Sequence, residues 1–244
     1  MSAENNTLVV LNLAEKKQTG HHHSQPVLQE QSMHTLGFRF FVLLSVSLLY
    51  VAILNGEPTS RWHRLFNGQD LSGWSTTGNW QVAKNGILSI QPRPGEHGWE
   101  RYGDYLWTKK QYANFSLRLD YKIPPKGNSG IFLGVKNRDN PVYEGVEIQI
   151  LDSHGKKEPL TAHDCGGVIG FESPKRNMAR PAGEWNQLQI TCKGDHLLVD
   201  LNGTTIIDTR LGNRIKRPQP LAGYLGLQDH GLSLEFRNIE IKSL

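Results

Sequence analysis

Residues 115–121 read FSLRLDY, and this stretch decides the fold class. Phe115, Leu117, Leu119 and Tyr121 share one side of a two-residue period, and Ser116, Arg118 and Asp120 take the other. Strict alternation marks a strand with one buried face and excludes a helix. Pro124-Pro125 then stops it, because proline cannot donate to a sheet ladder. The same reading extends outward in both directions. Residues 130–135 and 145–151 form the next two strands. Residues 185–192 alternate through Leu188 and Ile190, and Lys193-Gly194-Asp195 turns them into a strand carrying Leu197, Val199 and Leu201. Asn202-Gly203 makes a hairpin into residues 204–208. Upstream, WQVAKNGILSIQ (80–91) holds Asn85-Gly86 between two alternating runs, which predicts a type I′ turn with positive φ at both residues. The last pair is 223–228 and 232–242, and the apolar register slips between Phe236 and Ile239, which predicts a bulge near Arg237-Asn238.

No helix of three turns is predicted after residue 60. Ten or so short strands with close turn signals imply one all-β domain, a two-sheet antiparallel sandwich. Composition agrees: 25 Gly and 6 Trp in 244 residues suit a turn-rich β protein, and every tryptophan lies after residue 60. Net charge is +4, from 27 basic and 23 acidic residues, with no basic run interleaved with aromatics, so no nucleic-acid partner is expected. Two cysteines, Cys165 and Cys192, exclude a disulfide-rich scaffold. They form either one disulfide or two buried thiols.

The N-terminus reads as targeting sequence. Phe40 to Leu54 is an uncharged run of 15 residues behind Arg39, shorter than the roughly 20 that span a bilayer. It fits a signal-peptide core or an N-terminal membrane anchor over 33–55. Met33 opens a compact basic start of its own, so residues 1–32 read as a non-native extension. Residues 56–61 are a connector, and 62–244 the folded domain. Export to the periplasm, the cell exterior or a membrane anchor follows, with membrane contact only through the N-terminal segment.

Several segments resemble the 3-keto-disaccharide hydrolase family: LFNGQDLSGW (65–74), GNSGIFLGV (127–135), GVEIQILD (145–152), PAGEWNQLQITCKG (181–194), DLNG (200–203) and GYLGLQDHGLSLEFRNIEIK (223–242). They occur in order over residues 62–244. The resemblance implies a concanavalin A-like jelly roll, a carbohydrate substrate, and cleavage of glycosides whose sugar carries a ketone at C3. It also implies an oxidoreductase partner that makes the ketone. A non-catalytic carbohydrate-binding module of the same fold class is the alternative.

The residues themselves suggest how such chemistry would run. In EGVEIQILD (144–152), Glu147 and Gln149 share the face opposite Val146, Ile148 and Ile150. Asp152 sits off that face unless a bulge at Ile150-Leu151 brings it back. The spacing E-x-Q-x-x-D departs at two positions from the E-x-D-x-x-E strand of concanavalin A-like glucanases. Retaining hydrolysis by two carboxyls about 5–5.5 Å apart is therefore disfavoured. A C3 ketone acidifies the C2 hydrogen instead, so one base can start elimination of the C1 substituent, and water then adds to the enone. Glu147 and His230 are the candidate bases, with Asp152 a third catalytic candidate. Asp152 or Asp229 is expected to fix the imidazole of His230, in the turn Gln228-Asp229-His230-Gly231. Lys136 and Arg237 are candidate enolate partners. A divalent metal held by Asp152, His154, His163 and Asp164 is the alternative enolate holder, although their spacing matches no strong metal motif and no metal ligand is assigned. Asn128, Gln149, Gln228 and Asp229 are expected to bind sugar. So is Trp107, from the aromatic loop RPGEHGWERYGDYLW (93–107) that also carries Trp99, Tyr102 and Tyr105.

Overall fold

The computed structural model describes residues 61–212 and 221–244. The predicted extension, leader and residues 56–60 of the connector lie outside the described residues. In chain order the described strands are β1 His63–Arg64, β2 Trp74–Ser75, β3 Trp80–Val82, β4 Leu88–Ile90, β5 Leu106–Thr108, β6 Phe115–Lys122, β7 Asn128–Val135, β8 Val146–Leu151, β9 Trp185–Lys193, β10 His196–Leu201, β11 Thr204–Arg210, β12 Tyr224–Leu227 and β13 Glu235–Ser243. The only described α-helix is the single turn α1, Pro141–Glu144.

All pairings are antiparallel, in two sheets. The larger runs β11-β10-β9-β6-β13-β4-β3, with β1 also on β13. The smaller runs β2-β5-β12-β7-β8. Their inner faces form one core. Leu117, Leu119 and Tyr121 of β6, with Leu188 and Ile190 of β9, meet Ile131, Leu133, Val146, Ile148 and Ile150 of β7 and β8. Each fully buried Leu or Ile contributes about 1.5–3 kcal/mol. The alternation that predicted β6 is thus the burial pattern of the sandwich.

The turns explain the registers. Asn202 and Gly203 both have positive φ, 52° and 80°, so β10–β11 closes with a type I′ turn. Asn85-Gly86 differs from expectation. Only Gly86 is left-handed, Gly86 N–H donates to the Ala83 carbonyl, and Ala83 N–H donates to Ile87. This is a type I turn closed by a glycine bulge, the three-residue solution. The bulge in β13 falls where predicted: the register on β6 shifts between Arg237 and Glu240, with Asn238 at φ 53°.

Cys165 and Cys192 are free and buried. Cys165 Sγ lies 2.9 Å from the Tyr121 hydroxyl. The disulfide alternative is thereby set aside.

Candidate active site

The outer face of the five-stranded sheet carries the site. Alternation along β8 turns Glu147 and Gln149 outward while Ile148 and Ile150 enter the core. β8 ends the sheet, but its free edge is covered. Gln149 N–H donates to Gly167, Gly166 N–H to Gln149 and Ile169 N–H to Glu147. The loop after β8 therefore folds back along it and delivers His163 and Ile169 to the outer face.

Two hydrogen-bonded pairs organise that face. Gln228 Nε2 donates to Glu147 Oε1 at 3.1 Å, and Gln149 Nε2 to Asn128 Oδ1 at 2.7 Å. The Gln228 amide also hydrogen-bonds Tyr105, whose own hydroxyl donates to the Trp99 carbonyl at 2.6 Å. Gln228 is itself fixed: its N–H donates to Gly130, and its carbonyl accepts from Ser129 Oγ at 2.8 Å. Glycine at residue 130 leaves the space that the Glu147 side chain fills. A Cβ there would overlap Glu147 Oε1 and come within 2.9 Å of its Cδ.

These residues surround a cavity of about 350 Å³. Glu147, Gln149, Asn128, Gln228 and His230 give it polar walls, and Trp99, Val142 and Ile169 apolar ones, with His163 at the side. Trp99 is 42% exposed, so its ring is available for stacking. Burial pushes the Glu147 carboxyl up to about 7, and only the Gln228 hydrogen bond opposes that shift. A carboxyl poised near neutrality can both take and return a proton.

Asp229 is fully buried and does not line the cavity. It accepts from Gly231 N–H at 2.7 Å and pairs with Arg101 at 3.4 Å. Burial raises its carboxyl, while the Gly231 hydrogen bond and the Arg101 charge pull it back. Arg101 also meets Asp104 at 2.8 Å and Glu96 at 3.4 Å. The loop that carries Trp99 is therefore stapled to the turn that carries His230. Gly231 completes the joint: its φ is +75°, and a Cβ there would press on His97 Cα at 2.7 Å.

The structure thus gathers Glu147, Gln149, Asn128, Gln228 and His230 from the predicted set. Other members sit elsewhere. Asp152 accepts from Lys126 N–H at 2.8 Å, and β7–β8 pairing shows no register shift that would swing it into the cavity. Neither aspartate is hydrogen-bonded to His230: Asp152 accepts from Lys126, and Asp229 from Gly231 and Arg101. Trp107 is buried in a cluster with Tyr105, Phe132 and Val135, and its Nε1 donates to the Tyr102 carbonyl. Lys136 lines a separate hollow. Arg237 lies on the other sheet, its guanidinium 4.0 Å above the Trp185 ring and paired with Asp120. The suggested divalent-metal ligands do not converge either. His154 Nδ1 bonds the Ala179 carbonyl, and Asp164 is taken by Lys156 at 2.7 Å and by Thr161 N–H. Among the described residues no three His, Cys, Asp or Glu side chains gather to hold a metal. Sequence reasoning did not single out Val142, Ile169 or His163 as cavity walls, because Val142 sits in a single helical turn and the other two in the loop after β8, none of which carries a readable period.

The family described as the 3-keto-alpha-glucoside-1,2-lyase-like domain matches residues 61–242. The chain belongs to this family. A curated relative from Bacteroides thetaiotaomicron, named 3-keto-disaccharide hydrolase, is 24% identical over 225 residues, covering 74% of this chain and 77% of that one. A crystal structure from Parabacteroides distasonis, provisionally called a glycosyl hydrolase, is 25% identical with a TM-score of 0.64, covering 78% of this chain and 97% of that chain. A Bacillus subtilis protein with a galectin-like fold is 10% identical with a TM-score of 0.54, over 75% of this chain and 94% of that chain. The sandwich is therefore a concanavalin A-like jelly roll, and the family match spans every strand that frames the Glu147 cavity.

Proposed function

We propose that this 3-keto-glucoside-lyase-like domain cleaves the glycosidic bond of 3-keto-glycosides by elimination and hydration. Glu147 removes the C2 hydrogen as a proton, and the electron pair passes to the C3 carbonyl oxygen as an enolate. The enolate expels the C1 substituent, whose oxygen takes a proton from His230. The product is an enone between C1, C2 and C3. Water then adds its hydroxyl to C1 and gives its proton to His230, and the proton on Glu147 returns to C2. The sum is hydrolysis, with no net change in oxidation state.

The observation that carries this reading is the Glu147 carboxyl, held near neutral pKa in a cavity it shares with His230. Asn128 Nδ2 is the nearest counterpart of an oxyanion donor on that face, since its Oδ1 is already engaged by Gln149. Trp99 supplies a stacking platform for the sugar. The reading also calls for an upstream oxidoreductase that forms the ketone and for a site of action outside the cytoplasm.

The test is release of the free 3-keto sugar from a 3-keto disaccharide by the purified chain, with Glu147→Gln inactive. Saturable saccharide binding without turnover, unaffected by Glu147→Gln, would instead assign a carbohydrate-binding module.

A further inference from the structure

Behind the Glu147 cavity lies a hydroxyl that the proposed reaction does not use. Leu227 of β12 is opposite Leu106 of β5 and opposite Ile131 of β7. One step further along the same register, Gln228 comes opposite Tyr105 on one side and Gly130 on the other, and its N–H donates to the Gly130 carbonyl. Side chains directly opposite each other start from Cβ atoms about 4.5–5.5 Å apart on one face. The Gln228 amide therefore sits between the Tyr105 hydroxyl and the Glu147 carboxyl and is hydrogen-bonded to both.

Tyr105 can act on that amide in only one sense. The side chain is wholly buried, and burial pushes the hydroxyl far above the ordinary tyrosine range, so it keeps its proton. That proton is spent on the Trp99 carbonyl, 2.6 Å away. What the oxygen offers Gln228 is lone pairs, which attract an amide N–H and repel an amide carbonyl. The ring is held in place by Trp107, Phe132 and Tyr102, whose centroids lie 5.7, 5.6 and 5.8 Å away.

Glu147 by itself does not select which end of the amide it meets. An ionised carboxylate accepts from Nε2, but a protonated carboxyl can donate to Oε1 instead. Near a pKa of about 7 the two forms are equally populated at neutral pH. The lone pairs of Tyr105 supply the bias that does not change with the proton on Glu147. The other titratable groups that face Glu147 are His230 from the β12–β13 turn, His163 from the loop after β8, and Tyr102 beside Tyr105. Among the described residues none of these three is hydrogen-bonded to the Gln228 amide.

We infer that Tyr105 is a positioning residue for the reaction: its hydroxyl holds the Gln228 amide nitrogen-first toward Glu147, so that the base always meets a hydrogen-bond donor. As a role in catalysis this rests on the 3-keto-glycoside reading above; as a control on the Glu147 proton it does not. A donor held in place favours the ionised carboxylate, which opposes the upward push of burial and keeps the base usable near neutrality. Tyr105 does not line the cavity, so it acts through Gln228 and not on the sugar.

The test is Tyr105→Phe, which keeps the buried ring and removes the oxygen, with a thermal melt to check folding. The Glu147 carboxyl is titrated by carbon NMR, its signal assigned with Glu147→Gln. The midpoint is expected to move up by about one pH unit, a tenfold change in proton affinity. On a 3-keto disaccharide, kcat/KM is expected to fall about tenfold at pH 6 and by less as the pH rises, because the acidic limb moves with the carboxyl. Adding Tyr105→Phe to Gln228→Leu is expected to shift the midpoint no further. An unmoved midpoint, a loss of the same size at every pH, or a further shift on top of Gln228→Leu overturns the role. Should Tyr105→Phe not fold, 3-fluorotyrosine at residue 105 takes its place: the shape stays, the oxygen accepts less well, and the midpoint must still move up. If the unaltered chain turns over no 3-keto-glycoside, the proposed reaction falls by itself, and the NMR midpoint alone decides the role of Tyr105.

Discussion

The carboxylate of Glu147 occupies the space that any side chain at residue 130 would need. The two residues sit on neighbouring strands, diagonally related, since Gly130 is opposite Gln149 and Glu147 is opposite Phe132. The conflict is with the far end of a flexible side chain, which can rotate away at little cost. Gly130→Ala is therefore expected to leave the melting temperature nearly unchanged while displacing the base, with a loss in kcat/KM of about 100-fold. Parallel melts and kinetics check it. A fall in stability with activity retained would contradict this account of residue 130.

The buried Glu147 carboxyl sets two pH dependences. As a base it must be ionised, so the acidic limb of kcat/KM is expected to rise through about pH 7. Stability moves the opposite way. The folded chain keeps the proton up to about 7, whereas the unfolded chain releases it near the ordinary 4.5, so between those values the unfolded state binds fewer protons. Stability therefore falls as pH rises across that window, by at most about 3 kcal/mol. Glu147→Gln removes the penalty. Its melting temperature should exceed that of the unaltered chain at pH 8 by more than at pH 5, while turnover vanishes at both.

Trp99 is expected to act on binding more than on chemistry. Its ring is exposed at the cavity rim, and loss of one stacking face costs about 0.5–1.5 kcal/mol. Trp99→Ala should raise KM for a 3-keto-glycoside about 3- to 10-fold with little change in kcat. Equal losses in both parameters would instead place the indole against the reacting atoms.

The Arg101–Asp229 pair links residues 128 positions apart. Removing the cation leaves a fully buried carboxylate with one hydrogen bond from Gly231. Arg101→Ala is expected to cost about 3 kcal/mol. Asp229→Asn in the same chain should recover part of that, because the neutral amide needs no counter-charge. A double-mutant cycle read by denaturant unfolding measures the coupling.

The fold was legible because burial in a sandwich imposes a period of two. FSLRLDY and EGVEIQIL carry that period plainly, and the bulge at Arg237-Asn238 showed as a slip in it. The chemistry-bearing face was legible for the same reason: once Ile148 and Ile150 are inside, Glu147 and Gln149 must be outside. What the period cannot encode is how loops fold back. Asp152 and Glu147 are neighbours in sequence, yet one ends a turn and the other lines the cavity. Arg237 and Lys136 read alike as spare cations, but opposite sheets hold them. Trp107 and Trp99 read alike as aromatic platforms, and only packing against Tyr105 and Phe132 buries one and leaves the other at the rim. The Asn85-Gly86 turn failed for a local reason: with glycine alone supplying positive φ, the chain used three residues where two were expected.

The placement of β13 has a consequence for biosynthesis. Of the thirteen described strands it leaves the ribosome last, yet it lies between β6 and β4, with β1 also laid along it. Until residues 235–243 emerge, β6 and β4 have no strand to join them, and the larger sheet stays in two unjoined pieces. A nascent chain of this design is obliged to wait, and a premature stop just ahead of residue 235 would be as ruinous as one much further upstream.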